Sequence, residues 1–271
     1  MNILYGKPVA DAVKKKYTAA VEKMQGRKPE LMVLQYGDDA ASKAYVKKIE
    51  KNCINTGIGF HYKVFKGDEI SFINSLKHAN ENPDITSIMV QQPLPYSLKY
   101  VIDMINPEKD VEGVTTASLG KLFAGQPKFV PCTAEAVIEI LEFYKLQCEG
   151  KHAVVIGRSN IVGKPVSILL QQKNATVTMC HSKTENLKEY TKQADILVAA
   201  VGRPNMITGD MIKEGAIVID VGTNFIGNKM AGDIDFESAN RVASHITPVP
   251  SGVGTVTNQI LIKNIVKSVS L

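Results

Sequence analysis

The sequence predicts an α/β protein of two lobes, because short apolar strands alternate with helical segments along most of its 271 residues. The second half carries the clearest pattern, in which an apolar strand at 153–156 runs into a glycine-containing turn and then a helix. Three further short strands are expected at 175–180, 194–202 and 216–222. This alternation is typical of a parallel sheet with helices on both faces, as in a Rossmann-like nucleotide-binding domain.

The first half has an α/β pattern of its own. Strands are expected at 31–36, 60–65 and 87–91, and helices at 40–55, 69–80 and 98–105. Residues 106–113 form a loop that leaves this lobe, and a helix at 133–144 leads into the second. A last helix at 257–269 follows a loop at 247–254. A cleft between two such lobes is a usual place for a small-molecule site.

The turn after the strand at 153–156 has the spacing Gly157-x-Ser159-x-x-x-Gly163. It departs from the Gly-x-Gly-x-x-Gly fingerprint of dinucleotide-binding domains. Pro165 has its φ pre-set for a first helical position. A strand, a tight turn and a helix offer backbone N–H groups to a phosphate, although such a turn can also be a plain connection.

The second strand of this half ends in Cys180-His181-Ser182-Lys183 and carries no acidic residue. NAD-specific domains place an acid here to hold the ribose 2′-hydroxyl. A hydroxyl, a lysine and an imidazolium suit a 2′-phosphate instead, and Arg158 adds a fork of donors. The sequence therefore favours NADP over NAD, while a solvated basic loop is the alternative.

Composition excludes several classes of protein. A net charge of +5 without an arginine-rich stripe argues against nucleic-acid binding. No apolar run approaches the ~20 residues of a membrane span, and no signal segment opens the chain, so a cytoplasmic protein is expected. The cysteines lie far apart, which predicts neither a metal site nor a disulfide framework. These cysteines are Cys53, Cys132, Cys148 and Cys180.

Seven motifs stand in order along the chain. They are Ala41-Ser42 before Tyr45, Val90–Pro95, Lys109–Gly113, Pro131-Cys132-Thr133, Gly157–Pro165, Asp220-Val221-Gly222 and Thr247–Pro250. Together they resemble the bifunctional methylenetetrahydrofolate dehydrogenase/cyclohydrolase family, known in bacteria as FolD. The resemblance implies a homodimer that oxidises 5,10-methylenetetrahydrofolate with NADP and hydrolyses the methenyl product to 10-formyltetrahydrofolate. Its partners would be tetrahydrofolate derivatives, including polyglutamylated ones.

The resemblance also implies a division into domains. A discontinuous folate-binding domain would take residues 1–118 and 255–271, and the NADP-binding domain would take 119–254. The last helix would then pack back on the N-terminal lobe.

The catalytic positions of the family map onto a helix and a strand end of the first lobe. The resemblance places Tyr45 and Gln91 there, together with a lysine four residues after the tyrosine, on the same helix face. That lysine position holds Ile49. Isoleucine cannot transfer a proton, and with Cys53 it extends the apolar face of the helix. Lys48, about 100° further round the helix, is the possible substitute.

Other positions follow from the same motifs. The family's pterin-binding aspartate is Glu112 here, because the motif is Asp-Val-Glu-Gly. The family's run Pro-Gly-Gly-Val-Gly-Pro-Met-Thr is here Pro250 to Thr257, with Ser251 in place of a glycine. Further substrate positions would be Pro93, Leu94, Pro250, Gly252 and Val253. The cofactor positions would be Thr133, Gly157, Arg158, Ser159, Ile161, Val162, Gly163, His181, Ser182, Val201, Gly202, Asp220, Gly222 and Thr223.

The differences from the family cluster on the folate side, which predicts a working dehydrogenase with weak or absent cyclohydrolase. Hydride transfer depends on ligand placement, whereas hydrolysis depends on positioned proton-transfer groups. A fully bifunctional enzyme that uses Lys48, or a water held by Tyr45 and Gln91, is the first alternative. A shikimate-type NADP dehydrogenase and a non-catalytic nucleotide-binding protein are the others.

Overall fold

The computed structural model describes residues 2–24, 26–227 and 229–269. The strands are β1 Asn2–Ile3, β2 Glu30–Tyr36, β3 Gly59–Phe65, β4 Ser87–Gln91, β5 His152–Ile156, β6 Thr176–Cys180, β7 Ile196–Ala199, β8 Ile217–Asp220, β9 Asn224–Ile226, β10 Lys229–Ala231 and β11 His245–Ile246. The α-helices are α1 Gly6–Glu22, α2 Ala40–Thr56, α3 Glu69–Glu81, α4 Thr116–Phe123, α5 Cys132–Phe143, α6 Gly163–Gln172, α7 Leu187–Thr191, α8 Phe236–Ala239 and α9 Val253–Lys267. Tyr96–Met104 and Gly209–Met211 are 3₁₀ segments.

The chain divides into two compact units, and each has its own parallel sheet. Unit 1 is Met1–Val13 with Pro131–Ile260, and unit 2 is Lys14–Val130 with Leu261–Leu271. These bounds differ from the predicted 1–118, 119–254 and 255–271. The main reason is β1, which pairs with β11 and so belongs to the sheet of unit 1.

The sheet of unit 1 has the strand order β1-β11-β8-β7-β5-β6, and every neighbouring pair is parallel. Its central strands β5, β7 and β8 are apolar and almost wholly buried, as expected for strands covered on both faces. The carboxyl ends of these strands lead into the glycine-containing segments at 157–163, 200–203 and 221–224. This is the predicted Rossmann-like arrangement, and the prediction of an α/β fold is confirmed.

The sheet of unit 2 has the order β3-β2-β4, again parallel throughout. Its helices are capped by side chains. Asp39 accepts from the Ser42 N–H at the start of α2, and Asp68 accepts from Ser71 N–H at the start of α3. At the other end of α3, Lys109 Nζ donates to the carbonyls of Ala79, Asn80 and Asn82. The lysine of the Lys109–Gly113 motif therefore has a structural role.

The end of α9 belongs to unit 2, so the expected return of the last helix is confirmed. Asn264 Nδ2 donates to the Val111 carbonyl at 3.0 Å, and Lys267 Nζ donates to the Lys128 carbonyl at 2.6 Å. The helix begins at Val253, four residues earlier than the sequence pattern indicated. Among the described helices, none combines the length and the apolar character that crossing a bilayer requires.

Two local predictions need correction. The helix expected at 98–105 is the 3₁₀ segment Tyr96–Met104, whose buried residues Leu98 and Val101 lie three positions apart, as 3₁₀ geometry favours. The strand expected at 194–202 ends at Ala199. The Ala200 N–H still donates to the Ile156 carbonyl of β5, but the N–H groups of Val201 and Gly202 donate to the Asp233 carboxylate and not to a neighbouring strand.

Candidate active site

Gln91 occupies the last position of β4, at the carboxyl end of the small sheet. Its Nε2 donates to the Gln92 carbonyl at 2.8 Å and to the hydroxyl of Ser42, on α2, at 3.5 Å. Its Oε1 is buried and has no hydrogen-bond partner in the described part of the chain. The Gln91 amide therefore presents a free acceptor next to the first turn of α2.

Tyr45, Lys48 and Ile49 lie on α2, as the sequence predicted. Tyr45 is half-buried, three residues after Ser42 and on the same helix face. Ile49, the position of the family lysine, is only 1% exposed and packs in the apolar interior. Lys48 is exposed. The family's lysine position on α2 therefore holds a buried apolar side chain, and the neighbouring Lys48 lies in solvent.

Glu112 follows a buried acid, Asp110, whose Oδ2 accepts from the Thr115 N–H and the Ser118 hydroxyl. Glu112 itself is part-buried. Desolvation and the charge of Asp110 raise the pKa of Glu112 to about 8. The Glu112 carboxyl therefore holds its proton more tightly than a carboxyl in water does.

The two other predicted substrate positions in unit 2 lie directly after β4. The Gln92–Pro93 peptide is cis and Pro93 is exposed. The side chain of Leu94 packs into the apolar core beside Leu98. Leu94 is only 9% exposed.

In unit 1, the turn between β5 and α6 is built on two glycines. Gly157 has φ of +130°, and a Cβ there would overlap the Ala200 carbonyl oxygen. A Cβ on Gly163 would overlap the carbonyl oxygen of Gly157. The turn is therefore as tight as predicted, because only glycines allow these backbone approaches.

Ser159 caps N–H groups at the start of α6 that the sequence predicted to be available to a phosphate. Its hydroxyl accepts from the N–H of Val162 and of Gly163, and its carbonyl accepts from the Lys164 N–H. Two of the N–H groups expected to meet a phosphate are therefore capped within the turn. Helix α6 starts at Gly163, so Pro165 is its third residue and not its first.

The residues predicted to choose between NADP and NAD lie beyond β5 and β6. Arg158 and Ser182 are exposed. The His181 Nδ1 accepts from the Lys183 N–H at 3.1 Å, a bond that requires this nitrogen to be unprotonated. The Nδ1 of His181 is therefore engaged within this turn, whereas Arg158 and the hydroxyl of Ser182 are exposed and are the better candidates for an anionic group.

Asp220, predicted to contact the cofactor, has its carboxylate turned to the backbone. Oδ1 accepts from the N–H groups of Gly222 and Asp233, and Oδ2 accepts from that of Ile234. Burial, with a contribution from Asp233, raises the Asp220 pKa to about 6. Asp220 therefore shapes the segment after β8.

The loop before α9 has a strained position. Ser251 has φ of +82°, where the family sequence has glycine, and its carbonyl accepts from the Gly6 N–H at 2.7 Å. A Cβ on Gly252 would overlap the Pro248 carbonyl oxygen. Pro250 follows a cis peptide bond, and Val253 is buried as the first residue of α9.

The remaining predicted cofactor positions lie at the carboxyl edge of the large sheet or at a helix start. Thr133 is in the first turn of α5, whose N-cap residue Pro131 offers no side-chain bond. Ile161 is 45% exposed. Val162 is the N-cap of α6, and Val201, Gly202, Gly222 and Thr223 lie in the loops after β7 and β8.

Sequence reasoning missed two residues with many contacts. Ser42 was noted only as part of a motif, but it links Gln91 to α2. Asp233 was not singled out, although its carboxylate accepts from the loops after both β7 and β8. Its only signal in the sequence is the short run Gly232-Asp233, which has no spacing that predicts its partners.

Comparison with known families assigns both halves of the chain. Residues 4–112 match the catalytic domain of tetrahydrofolate dehydrogenase/cyclohydrolase, and residues 131–271 match its NAD(P)-binding domain. The chain belongs to the tetrahydrofolate dehydrogenase/cyclohydrolase family. The resemblance inferred from the seven motifs is thereby confirmed, and the chain is an enzyme of this family.

Relatives of this family match over nearly their full length. The bifunctional protein FolD of Caldanaerobacter subterraneus is 47% identical over 97% of this chain and 94% of its own. That of Bacillus subtilis is 46% identical over 98% and 97%.

Solved structures of the family agree with the fold. The bifunctional FolD of Campylobacter jejuni superposes with a TM-score of 0.95 at 38% identity, covering 99% of this chain and 98% of that one. The Trypanosoma brucei enzyme, solved with NADP and an inhibitor, gives 0.92 at 34% identity, covering 98% and 96%. Shikimate dehydrogenase of Thermus thermophilus gives 0.54 at 14% identity over 87% and 90%, which shows a common fold alone.

Proposed function

We propose that this enzyme oxidises 5,10-methylenetetrahydrofolate to 5,10-methenyltetrahydrofolate with NADP, and hydrolyses that product weakly or not at all. Unit 1 would bind NADP and unit 2 the folate. The observation that carries the second half of the proposal is Ile49, which is apolar and 1% exposed at the position of the family lysine. The family resemblance supports a homodimer acting on polyglutamylated folates in the cytoplasm.

The residues of unit 1 fit a dinucleotide. Gly157 and Gly163 lie in a turn where a Cβ on either residue would overlap backbone atoms. Both positions therefore lack side chains, as in the turns of dinucleotide-binding domains where the pyrophosphate approaches the main chain. Arg158 and Ser182 are exposed near the end of β6, and no acid stands there to repel a 2′-phosphate. The Trypanosoma brucei relative was solved with NADP. These features support NADP as the cofactor.

The dehydrogenation step requires little acid–base catalysis from the protein. NADP, when bound, supplies the hydride acceptor. The chain's own residues would then bind and orient the folate. Glu112 would hydrogen-bond the amino-pyrimidine edge of the pterin, and Gln91 and Tyr45 would border the one-carbon bridge. Orientation of this kind is the main requirement of the step.

Hydrolysis requires more. Water must attack a cationic, amidine-like carbon and lose a proton, and a ring nitrogen must later be released, so a positioned proton-transfer group is needed. In the family pattern a lysine near the glutamine fills this role. Here the side chain of Ile49 has no group that can transfer a proton, and the Gln91 Oε1 has no hydrogen-bond partner among the described residues. This combination supports loss of the second reaction.

Lys48 is a weak substitute for that lysine. It is exposed, and successive residues of an α-helix are about 100° apart, so it leaves α2 in a different direction from Ile49. A cyclohydrolase that depends on Lys48 is therefore an outcome for experiment to exclude.

The test of the proposed oxidation is NADP reduction by 5,10-methylenetetrahydrofolate. We expect NADPH to form in proportion to the folate added, with NAD a poorer acceptor. Absence of NADPH formation by the folded protein would overturn the proposal. Shikimate as the electron donor serves as the control, and we expect no NADPH from it.

A further inference from the structure

Asp233 lies just after β10 and is fully buried. Its Oδ2 accepts from the Val201 N–H at 2.6 Å and from the Gly202 N–H at 3.1 Å. Its Oδ1 accepts from the Arg203 N–H and from Asn224 Nδ2, both at 2.9 Å. One carboxylate thus holds three consecutive backbone N–H groups and a side-chain amide.

These donors lie in two segments with a common position in the fold. Residues 201–203 follow β7, and Asn224 begins the segment that follows β8. Both segments leave the carboxyl ends of neighbouring parallel strands. In open parallel sheets that edge is where nucleotides bind. Asp233 therefore organises the edge of the sheet that also carries the turn at Gly157.

The link to Gly157 is direct. The N–H of Val201 and the carbonyl of Ala200 belong to one peptide group and point in opposite directions. The N–H of Val201 donates to Asp233, and the carbonyl oxygen of Ala200 lies 2.3 Å from the position that a Cβ of Gly157 would occupy. The bond to Asp233 therefore fixes the peptide that packs against the nucleotide turn.

Asp233 is itself held in place by Asp220. Its backbone N–H donates to Oδ1 of Asp220 at 3.0 Å. A Cβ on Gly222 would overlap the Asp233 carboxyl group, and a Cβ on Gly232 would overlap that of Asp220. The Asp233 carboxylate therefore packs closely against the backbone of Gly222, and the neighbouring Gly232 packs against the Asp220 carboxylate.

We propose that Asp233 is a positioning residue for the cofactor, which holds residues 201–203 in the conformation that receives the dinucleotide. The inference rests on the proposed use of NADP. Asp233 accepts from the loop and does not touch the ligand. Its loss should weaken NADP binding and leave folate binding nearly unchanged. The predicted folate contacts Tyr45, Gln91 and Glu112 belong to unit 2, and those at 250–253 in unit 1 lie outside the segments that the Asp233 carboxylate holds.

The direct test is Asp233→Asn, with NADP and folate affinities measured separately by calorimetry. The amide keeps one acceptor oxygen, so its NH₂ group must face either two backbone N–H groups or Arg203 N–H and Asn224 Nδ2. We expect the NADP Kd to rise about tenfold to a hundredfold, with the folate Kd within twofold. Asp235→Asn is the matched control, because the Asp235 carboxylate accepts from the Ser238 hydroxyl within its own helical turn and, among the described residues, makes no hydrogen bond to residues 201–203. We expect Asp235→Asn to keep the native NADP Kd.

A rescue separates positioning from general destabilisation. Asn224→Asp alone sets a second carboxylate against Oδ1 of Asp233 and should weaken NADP binding. Combined with Asp233→Asn it offers an acceptor to the new NH₂ group, and we expect the pair to recover part of the lost affinity. If Asp233→Asn does not fold, Asn224→Asp alone decides, and a native NADP Kd in that variant overturns the proposal.

A folded Asp233→Asn protein with the native NADP Kd would also overturn the role of Asp233. Failure of the native protein to bind NADP would instead overturn the proposed function. The two failures are therefore distinguishable.

Discussion

Gln91 and Ser42 connect the end of β4 to the first turn of α2, through a contact of 3.5 Å from the Gln91 Nε2 to the Ser42 Oγ. The amide nitrogen is therefore engaged, while its oxygen faces the protein interior without a hydrogen-bond partner among the described residues. Ile49 lies on the face of α2 that starts at Ser42, seven residues further on. We propose that the side chain at position 49 decides whether this part of unit 2 supports hydrolysis.

Ile49→Lys should restore hydrolysis of methenyltetrahydrofolate, because it returns a proton-transfer group to the family position. Groups of this kind are typically worth about 10²–10⁴-fold in rate. The substitution buries a charge at a position that is 1% exposed, so the melting temperature should fall. Ile49→Met, which keeps an apolar side chain, is the control and should gain nothing. A folded lysine variant with no gain in hydrolysis would count against the assigned role of this position.

Arg158→Ala should weaken NADP far more than NAD, because the exposed guanidinium is proposed to pair with the 2′-phosphate. Loss of a charge-assisted contact costs about 1.5–3 kcal/mol, which corresponds to roughly tenfold to a hundredfold in KM. Lys151→Ala removes an exposed cation elsewhere in unit 1 and should leave both KM values unchanged. Equal increases for the two cofactors in the Arg158 variant would show that the arginine does not select NADP.

Glu112 should make folate binding depend on pH. Its pKa is raised to about 8, first by desolvation and then by Asp110. If the ionised carboxylate accepts from the pterin, binding below that pKa must release a proton. The folate KM should then fall as pH rises toward 8, by up to about tenfold per pH unit, and level off above it.

Glu112→Gln separates this effect from other titrations. Glutamine has similar size and no charge, so the folate KM of the variant should not change over the same pH range. The ratio of the variant KM to the native KM should therefore increase as pH rises. Glu112→Asp, which restores the family residue, should retain binding. Parallel pH profiles for the native and glutamine proteins would remove Glu112 from pterin recognition.

The raised pKa of Glu112 also determines how the free energy of unfolding changes with pH. A carboxyl group whose pKa is raised in the folded state binds its proton more tightly there than in the unfolded chain. The Glu112 contribution to the free energy of unfolding is therefore full below its unfolded pKa of about 4.3 and is lost as pH rises to about 8.

Ser251 should be a site where glycine stabilises the fold. Its φ of +82° is unfavourable for serine, at a cost of about 1–3 kcal/mol, and glycine's greater unfolded-state entropy offsets about 0.4–1 kcal/mol of the gain. Ser251→Gly should therefore raise the free energy of unfolding by about 1 kcal/mol, measured by urea denaturation. Gly252→Ala should do the opposite, because its Cβ would overlap the Pro248 carbonyl oxygen. A less stable glycine variant would mean that Ser251 is not strained.

The sequence predicted those elements whose signals are local. The strand expected at 87–91 has the same bounds as β4, because a short buried run is followed directly by two prolines in the next four residues. The tight turn at Gly157 was also predictable from its glycines. The sequence predicts a helix at 98–105, but apolar residues three positions apart fit both α and 3₁₀ geometry, and this segment is the 3₁₀ helix Tyr96–Met104. Its actual form depends on packing that the pattern does not contain.

The site was predictable only in part, for a related reason. Tyr45, Ile49 and Glu112 were found through short motifs. Asp233 was missed because its bonds join segments up to 32 residues apart along the chain. The capping of Gly163 by Ser159 was missed as well, since a serine in a glycine-rich turn can bind either a phosphate or the turn itself.

The most direct test of the central claim is the rate at which the native protein hydrolyses methenyltetrahydrofolate, compared with the rate without protein. We expect the two rates to be nearly equal, so that methenyltetrahydrofolate accumulates with NADPH in close to a one-to-one ratio during turnover. Brisk hydrolysis by the native protein would contradict the claim, and its loss in Lys48→Met would then assign the activity to Lys48.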